Sequence, residues 1–291
     1  MPRKITRNEI GGTTLASTYQ KIHAIQSREW AAGARIDRFY DALTQSHRRV
    51  LEDAFFRYFV YPLDSQPRWD AVSALRSDVA ATVNDRYIAA TDDILDETEL
   101  TSDDELDESF LQGWYFGLWD IYQAGGDVDI AVPPTSEAIE AAIAGAAIGG
   151  LSLMERARRW IGDSRLKHST GVRAVILSEE TLPGTLQWYD GIASVLTNRV
   201  SSLVVGEIHR AFELGQASAV GLFPDMLLGE VWVTREDAQV CPRCQALHLT
   251  VTDLKPIVDS HPNCRCFKVP IVDGAGSRPI DFTLFMQELQ L

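Results

Sequence analysis

The sequence predicts a mainly α-helical protein with a small C-terminal α+β module: a helical N-terminal region followed by a short-stranded β unit. Three observations carry that prediction. Apolar residues recur at three- and four-residue steps through most of the chain before Gly221. Beyond Gly229 the pattern changes to short runs rich in β-branched residues with partial alternation. All four cysteines lie between Cys241 and Cys266, inside that second region. The expected organisation is a flexible tail over 1–14, a helical domain over 15–195, a cysteine-bearing module over 196–272 and a C-terminal tail over 273–291.

The tail carries Arg3, Lys4 and Arg7 against a single Glu9, and Gly11-Gly12 stops an early helix. From Thr14 to Phe59 an apolar stripe runs through Ile36, Phe39, Tyr40, Leu43, Val50, Leu51, Phe55 and Phe59. It predicts one long amphipathic helix or two in series. The stretch from Tyr61-Pro62 to Pro67 ends it, because proline cannot continue a helix. Trp69 to about Ala90 reads as the second helix. Between Asp92 and Glu108 stand ten carboxylates and no Lys or Arg. Clustered like charges stay hydrated, so this block predicts a solvated loop or helix start, with a docking surface for a basic partner as the alternative.

Phe110 to Tyr122 sets Trp114, Tyr115, Phe116 and Trp119 at helical intervals, which predicts core packing rather than a base-stacking platform. Gly125-Gly126 and Pro133-Pro134 bracket a loop, and Thr135-Ser-Glu-Ala opens the next helix. Ala141 to Met154 is rich in Ala and Gly and contains Gly145-Ala-Ala-Ile-Gly149. It is shorter than the ~20 residues that cross a bilayer. Its small-xxx-small pattern predicts a buried helix packed closely against a neighbour. Glu155 to Arg173 is the one long basic segment. A solvated helix face is its first reading, and Arg156, Arg158, Arg159, Arg165 and Lys167 are the candidate DNA or partner contacts. Thr185 to about Val220 is again helical, until Gly221, Pro224 and Gly229 break the pattern.

The expected strands are Val231-Trp-Val-Thr, Leu247-His-Leu-Thr-Val-Thr and Arg265-Cys-Phe-Lys-Val-Pro-Ile. Cys241-Pro-Arg-Cys244 forms the turn between the first two, and the His261-Pro-Asn-Cys264 corner precedes the third. A Cys-x-x-Cys turn sets two sulfurs close enough to share one ion, and tetrahedral zinc takes four N or S ligands. The favoured set is Cys241, Cys244, His261 and Cys264, with Cys266 as the alternate fourth ligand and His248 as a weaker candidate. The competing chemistry is disulfide formation, for which four cysteines allow three pairings. No apolar stretch follows Met-Pro-Arg-Lys-Ile-Thr-Arg, so no secretory signal is expected, and an intracellular origin favours a metal. A closed four-ligand site keeps no open position, so the expected zinc is structural.

The residues around the cysteines extend the pattern. Trp232-Val-Thr234-Arg-Glu-Asp237, Cys241-Pro-Arg-Cys244, Ala246-Leu247, His261-Pro-Asn-Cys264-Arg-Cys266 and Val269-Pro270 together resemble the MuF-like family, the minor head or head morphogenesis proteins of tailed bacteriophages. The likeness covers about 40 residues, and His261 to Cys266 is its most specific part. Relatives carry an Ala-Arg-Thr-Glu-like helix before this module. Here Glu207 fits that pattern and Val205 stands where Arg is the family's residue, while His248-Leu249 replaces a frequent Asp-Gly. The resemblance implies a zinc-pinned MuF-like module over 196–272. It also implies a few copies inside the head near the portal vertex, assembled in the host cytoplasm. Portal protein and major capsid protein are the implied partners, with roles in head assembly, genome packaging or ejection and contact with phage DNA.

At 291 residues the chain is long enough for one large or two modest domains. Its net charge of -14 argues against general non-specific nucleic-acid binding, although a local basic face remains compatible with it. No phosphate-binding loop, Gly-x-Ser-x-Gly or His-Glu-x-x-His motif is present, and no catalytic residue is assigned. The enzyme alternative is a toxin or ADP-ribosyltransferase-like activity of the kind associated with relatives, using the polar group Glu207, His209 and Arg210. A zinc-dependent DNA-binding module is the third reading, and no membrane partner is expected.

Overall fold

Helices account for most of the structure, as the three- and four-residue apolar steps require. The computed structural model describes residues 12–59, 66–100, 105–128, 131–177, 182–234, 240–252, 266–273 and 281–289. Within them the order is α1 (Gly12–Phe59), α2 (Gln66–Leu100), α3 (Leu106–Gln123), α4 (Ser136–Gly145), α5 (Leu153–Leu177), α6 (Leu182–Val220), β1 (Leu227–Val233), α7 (Pro242–Leu247), β2 (Thr250–Thr252), β3 (Phe267–Val272) and α8 (Phe282–Glu288). The three strands form one antiparallel sheet in the order β2-β1-β3. Most of the expected N-terminal tail, the Pro62 break, His261, Cys264 and the Gly-rich stretch after Asp273 lie outside the described residues.

The chain divides into two compact units. The first comprises Met1–Ala31, Thr101–Ser152 and Val204–Leu291. Its core holds the aromatic run of α3, with Phe110, Trp114, Phe116 and Trp119 all buried, as the helical intervals predict. Full burial of such a side chain contributes roughly 1.5–3 kcal/mol. The C-terminal apolar residues fold back onto the same helix. Phe282 stacks on Phe116 with ring centroids 3.9 Å apart, and Phe285 of α8 is completely buried beside Tyr122. Asp281 caps α8 by accepting from the Thr283 N–H at 2.8 Å.

Helices α3 and α6 meet backbone to backbone. A Cβ on Gly113 would lie 1.9 Å from the Phe212 carbonyl oxygen, and one on Gly215 would lie 1.9 Å from that of Phe110. Gly117 is similarly tight against Gln216 and Ala219. The small-xxx-small contact of this protein is therefore Gly113-x-x-x-Gly117 rather than Gly145-x-x-x-Gly149. A Cβ on either of the latter meets nothing within 4 Å. The expected buried Ala/Gly helix is corrected accordingly. Helix α4 starts where predicted, with Thr135 as its cap, but Ile139 is its one buried residue and it stops at Gly145. Alanines offer little apolar area to drive burial. Gly149 and Gly150 adopt left-handed φ of 64° and 71°, which breaks any continuing helix.

The second unit comprises Ala32–Leu100 and Leu153–Leu203. Here α2 runs to Leu100, past the expected end near Ala90, so the first half of the acidic block is helix rather than loop. Three of its carboxylates have arginine partners on other helices. Asp92 pairs with Arg165 of α5, Glu97 with Arg35 at 2.9 Å, and Glu99 with Arg158 at 3.9 Å. On the N-terminal side of these pairs along α2, α2 and α5 share a buried aromatic centre. Tyr87 stacks on His168 at 4.0 Å and reaches the Ser164 hydroxyl at 2.6 Å, while His168 Nδ1 lies 3.2 Å from Asn84 Oδ1. Tyr189 of α6 closes on both rings edge to face.

Candidate functional site

β1 is the central strand, and its last residues alternate between two environments. Val231 and Val233 are buried, as the alternation of a packed sheet predicts. Trp232 packs against the buried side chains of Cys244 and Cys266, with Val240, Cys241 and Leu247 around them. Thr234 faces His248: its N–H and its hydroxyl both lie 3.1 Å from His248 Nδ1. An N–H can only donate, so Nδ1 is an acceptor and the ring proton sits on Nε2. His248, the weaker candidate ligand, thus uses Nδ1 to tie the cysteine turn to the end of β1.

The Cys-x-x-Cys turn itself is helical. Cys241 precedes α7 in an extended conformation and its Sγ accepts from the Cys244 N–H at 3.3 Å. The expected second strand is shorter than predicted, because Leu247 ends α7. Leu249 takes a left-handed φ of 58° and donates its N–H to the Trp232 carbonyl at 2.8 Å, and only then does β2 begin. Two consecutive residues after α7, His248 and Leu249, thereby fix the turn to the end of β1.

Three of the four cysteines are described, and none of the three is joined to another in a disulfide. Cys241, Cys244 and Cys266 lie in one packed cluster, so the alternate ligand Cys266 is beside the Cys-x-x-Cys turn. Among the described residues no group of three or more His, Cys, Asp or Glu side chains is arranged to hold a metal ion. His261 and Cys264, the remaining members of the expected ligand set, lie outside those residues. Cysteine sulfurs are the donor type that a thiophilic ion takes, but the three described ones pack together without the arrangement that would hold one. Trp232 Nε1 is buried with no hydrogen-bond partner among the described residues.

The helix leading to the module, α6, presents a buried polar seam to the sheet. His209 is buried, with Nε2 donating to the Cys266 carbonyl at 2.8 Å and Nδ1 3.1 Å from Glu29 Oε1 of α1. The carbonyl cannot donate, so Nε2 carries hydrogen, and a second proton lies between Nδ1 and the carboxylate. Burial opposes charge on this ring, but Glu29, Glu213 and the Cys266 carbonyl outweigh it and raise the His209 pKa. One turn further, Glu213 accepts from the Lys268 N–H at 3.3 Å on the outer edge of β3. Burial pushes the Glu213 carboxyl up to about 8, against the opposing influence of His209. Glu230 of β1 is also raised by burial, with Lys268 Nζ 3.5 Å away working against that shift. β3 is an edge strand, and Glu213 occupies the backbone donor that another strand would otherwise take.

Glu207 and Arg210 bond to each other, and Arg210 also donates to the carbonyl of Ala146 at the end of α4. A cation there complements the helix C-terminus. The polar group Glu207, His209 and Arg210 is therefore split between two internal tasks. In the basic segment, Arg165 binds Asp92, Thr91 and the Ile88 carbonyl, and Arg158 reaches Glu99, while Arg159 and Lys167 are exposed. Arg156 is half-buried.

Sequence spacing pointed to the cysteine turn, while Trp232 and Thr234 entered only through the family resemblance. It missed Glu29, Glu213 and Lys268, which are single charged residues with no motif around them. The one available signal was their position on otherwise apolar helix and strand faces. The chain matches no protein-family model, no curated protein and no solved structure at a significant level. No helix among the described residues is long and apolar enough to cross a membrane.

Proposed function

We propose that this chain is a minor head protein of a tailed phage, whose C-terminal module is held by a structural zinc ion and which acts by binding portal and capsid. The observation that supports it is the cluster of Trp232, Cys241, Cys244 and Cys266, since residues far apart in the motif pack together. Cys241, Cys244 and Cys266 would supply thiolates, with His261 or Cys264 completing four ligands. Bound zinc would cross-link the turn to β3, so its binding energy would be folding energy. What the chain's own residues do is set the sulfurs: β1 anchors the turn through Thr234 and Trp232, and α6 anchors β3. The transferase alternative gains no support, because Glu207, His209 and Arg210 are buried in internal contacts. The DNA-binding alternative keeps Arg159 and Lys167 as exposed candidates.

Two measurements test this reading. Elemental analysis of the purified chain is expected to give one zinc per molecule, lost in Cys241→Ser and in Cys266→Ser. Quantitative mass spectrometry of assembled particles is expected to find the chain at a few copies per portal. A metal-free wild type with reactive thiols would refute the zinc centre, and absence from particles would refute the assembly role.

A further inference from the structure

We infer that Cys241 and Cys244 are a redox pair, which forms a disulfide across the first turn of α7 by exchange with a low-molecular-weight disulfide. The pair needs no ion on these sulfurs, so it stands apart from the zinc reading. The backbone has already closed the turn: the Gln245 N–H donates to the Cys241 carbonyl at 2.9 Å. Helix geometry then sets the Cα atoms of Cys241 and Cys244 at about 5 Å from each other. A disulfide spans about 4.4–6.8 Å between Cα atoms, so the bond forms without moving the main chain. The sulfur is turned the right way as well. Cys241 Sγ accepts the Cys244 N–H at 3.3 Å and so faces the residue it would join.

Exposure gives the two sulfurs different tasks. Cys241 is half-buried, whereas Cys244 and Cys266 are only 2% and 3% exposed. An oxidant from solvent therefore meets Cys241 first. The Cys241 thiolate attacks one sulfur of the incoming disulfide, a mixed disulfide forms and one small thiolate leaves. Cys244 then gives up its proton and attacks Cys241 Sγ, and the second small thiolate leaves. The two protein thiols lose two electrons, the small disulfide is reduced to two thiols, and both protons end on those departing thiols. Cys266 packs in the same cluster, but it is buried and its main chain is tied to α6 by the His209 bond to its carbonyl at 2.8 Å. Trp232 packs in the cluster too, so its fluorescence reports the change at the sulfurs.

The test uses the full chain, stripped of metal with a chelator and equilibrated in glutathione buffers of rising oxidised fraction. Remaining thiols are alkylated and the peptides mapped by mass spectrometry. Cys241 and Cys244 are expected to lose their thiols together, joined to each other, while Cys266 stays open to alkylation once the chain is unfolded. Tryptophan fluorescence is expected to fall in step, and Trp232→Phe to abolish that fall. Cys244→Ser is expected to stop at a mixed disulfide between Cys241 and glutathione, and Cys241→Ser to leave Cys244 reduced. Should either serine variant fail to fold, Cys266→Ser carries the test, since it leaves the pair intact and is expected to form the same bond. A bond from Cys241 or Cys244 to Cys264 or Cys266 overturns the inference, as does a wild-type chain that halts at the mixed disulfide or stays fully reduced. Zinc content is measured separately on the unstripped chain, so the redox pair and the zinc centre fail independently.

Discussion

The α3–α6 contact in the first unit and the α2–α5 contact in the second join helices by opposite means. In the first, glycines let the backbones touch, and the charges nearby are isolated and buried. Lys21 of α1 pairs with Asp120 of α3, which also accepts from Gln216 of α6 at 3.2 Å. In the second, runs of opposite charge face each other along partly exposed rims, and a stacked Tyr87 and His168 fill the centre. The lesson is about what a charge in a sequence means. Charges in runs are hydrated before and after folding and contribute little each. A single charge on an apolar face is desolvated on folding and depends wholly on its partner.

That contrast can be broken most severely at Lys21. Replacing it by Met removes the cation from the buried Asp120 carboxylate, and is expected to cost about 3–5 kcal/mol in urea unfolding. Converting Asp120 to Leu in the same chain is expected to restore much of the loss. Next comes Gly113→Ala, whose Cβ meets a backbone oxygen that cannot rotate aside. The expected loss is about 1–3 kcal/mol or more. Gly145→Ala, with open space around it, is expected to be neutral or stabilising by up to about 1 kcal/mol.

A smaller effect per step separates the two regions by pH. Glu213 has its carboxyl raised from 4.5 to about 8, so the folded state holds a proton that the unfolded state releases. Below pH 4.5 it is neutral in both states and costs nothing. As pH rises from there towards 8 its contribution falls, by up to about 1.4 kcal/mol per pH unit. Glu213→Gln is expected to flatten that part of the stability profile, measured as the difference from wild type at each pH. The smallest expected effect is Arg158→Ala. Its pair with Glu99 is more than half exposed on both sides and spans 3.9 Å, so the change should stay within about 1 kcal/mol and vanish in high salt. Equal losses for Lys21→Met and Arg158→Ala would erase the distinction between the regions.

The helical face of the protein was legible for the same reason that its rims are cheap to alter. Periodicity located α3, the start of α4 and most of α6, because an amphipathic helix repeats its burial pattern every three or four residues. It ended α2 too early, since a run of carboxylates looks like a helix stop until Arg35, Arg158 and Arg165 are set against it. It also assigned close packing to Gly145 and Gly149, where spacing alone could not distinguish an unused pattern from the Gly113 and Gly117 pair that α6 occupies.

The sequence by itself determined the class of fold and the cysteine turn, because each depends on residues close together or on a repeating pattern. Only the tertiary structure decided that Cys266 packs beside Cys244, that His248 serves Thr234 through Nδ1, and that His209 and Glu29 hold the entry to β3. Those contacts link positions from 14 to 180 residues apart. A hydrogen bond at that separation leaves no local pattern: its partners are chosen by which faces the packed helices and strands bring together.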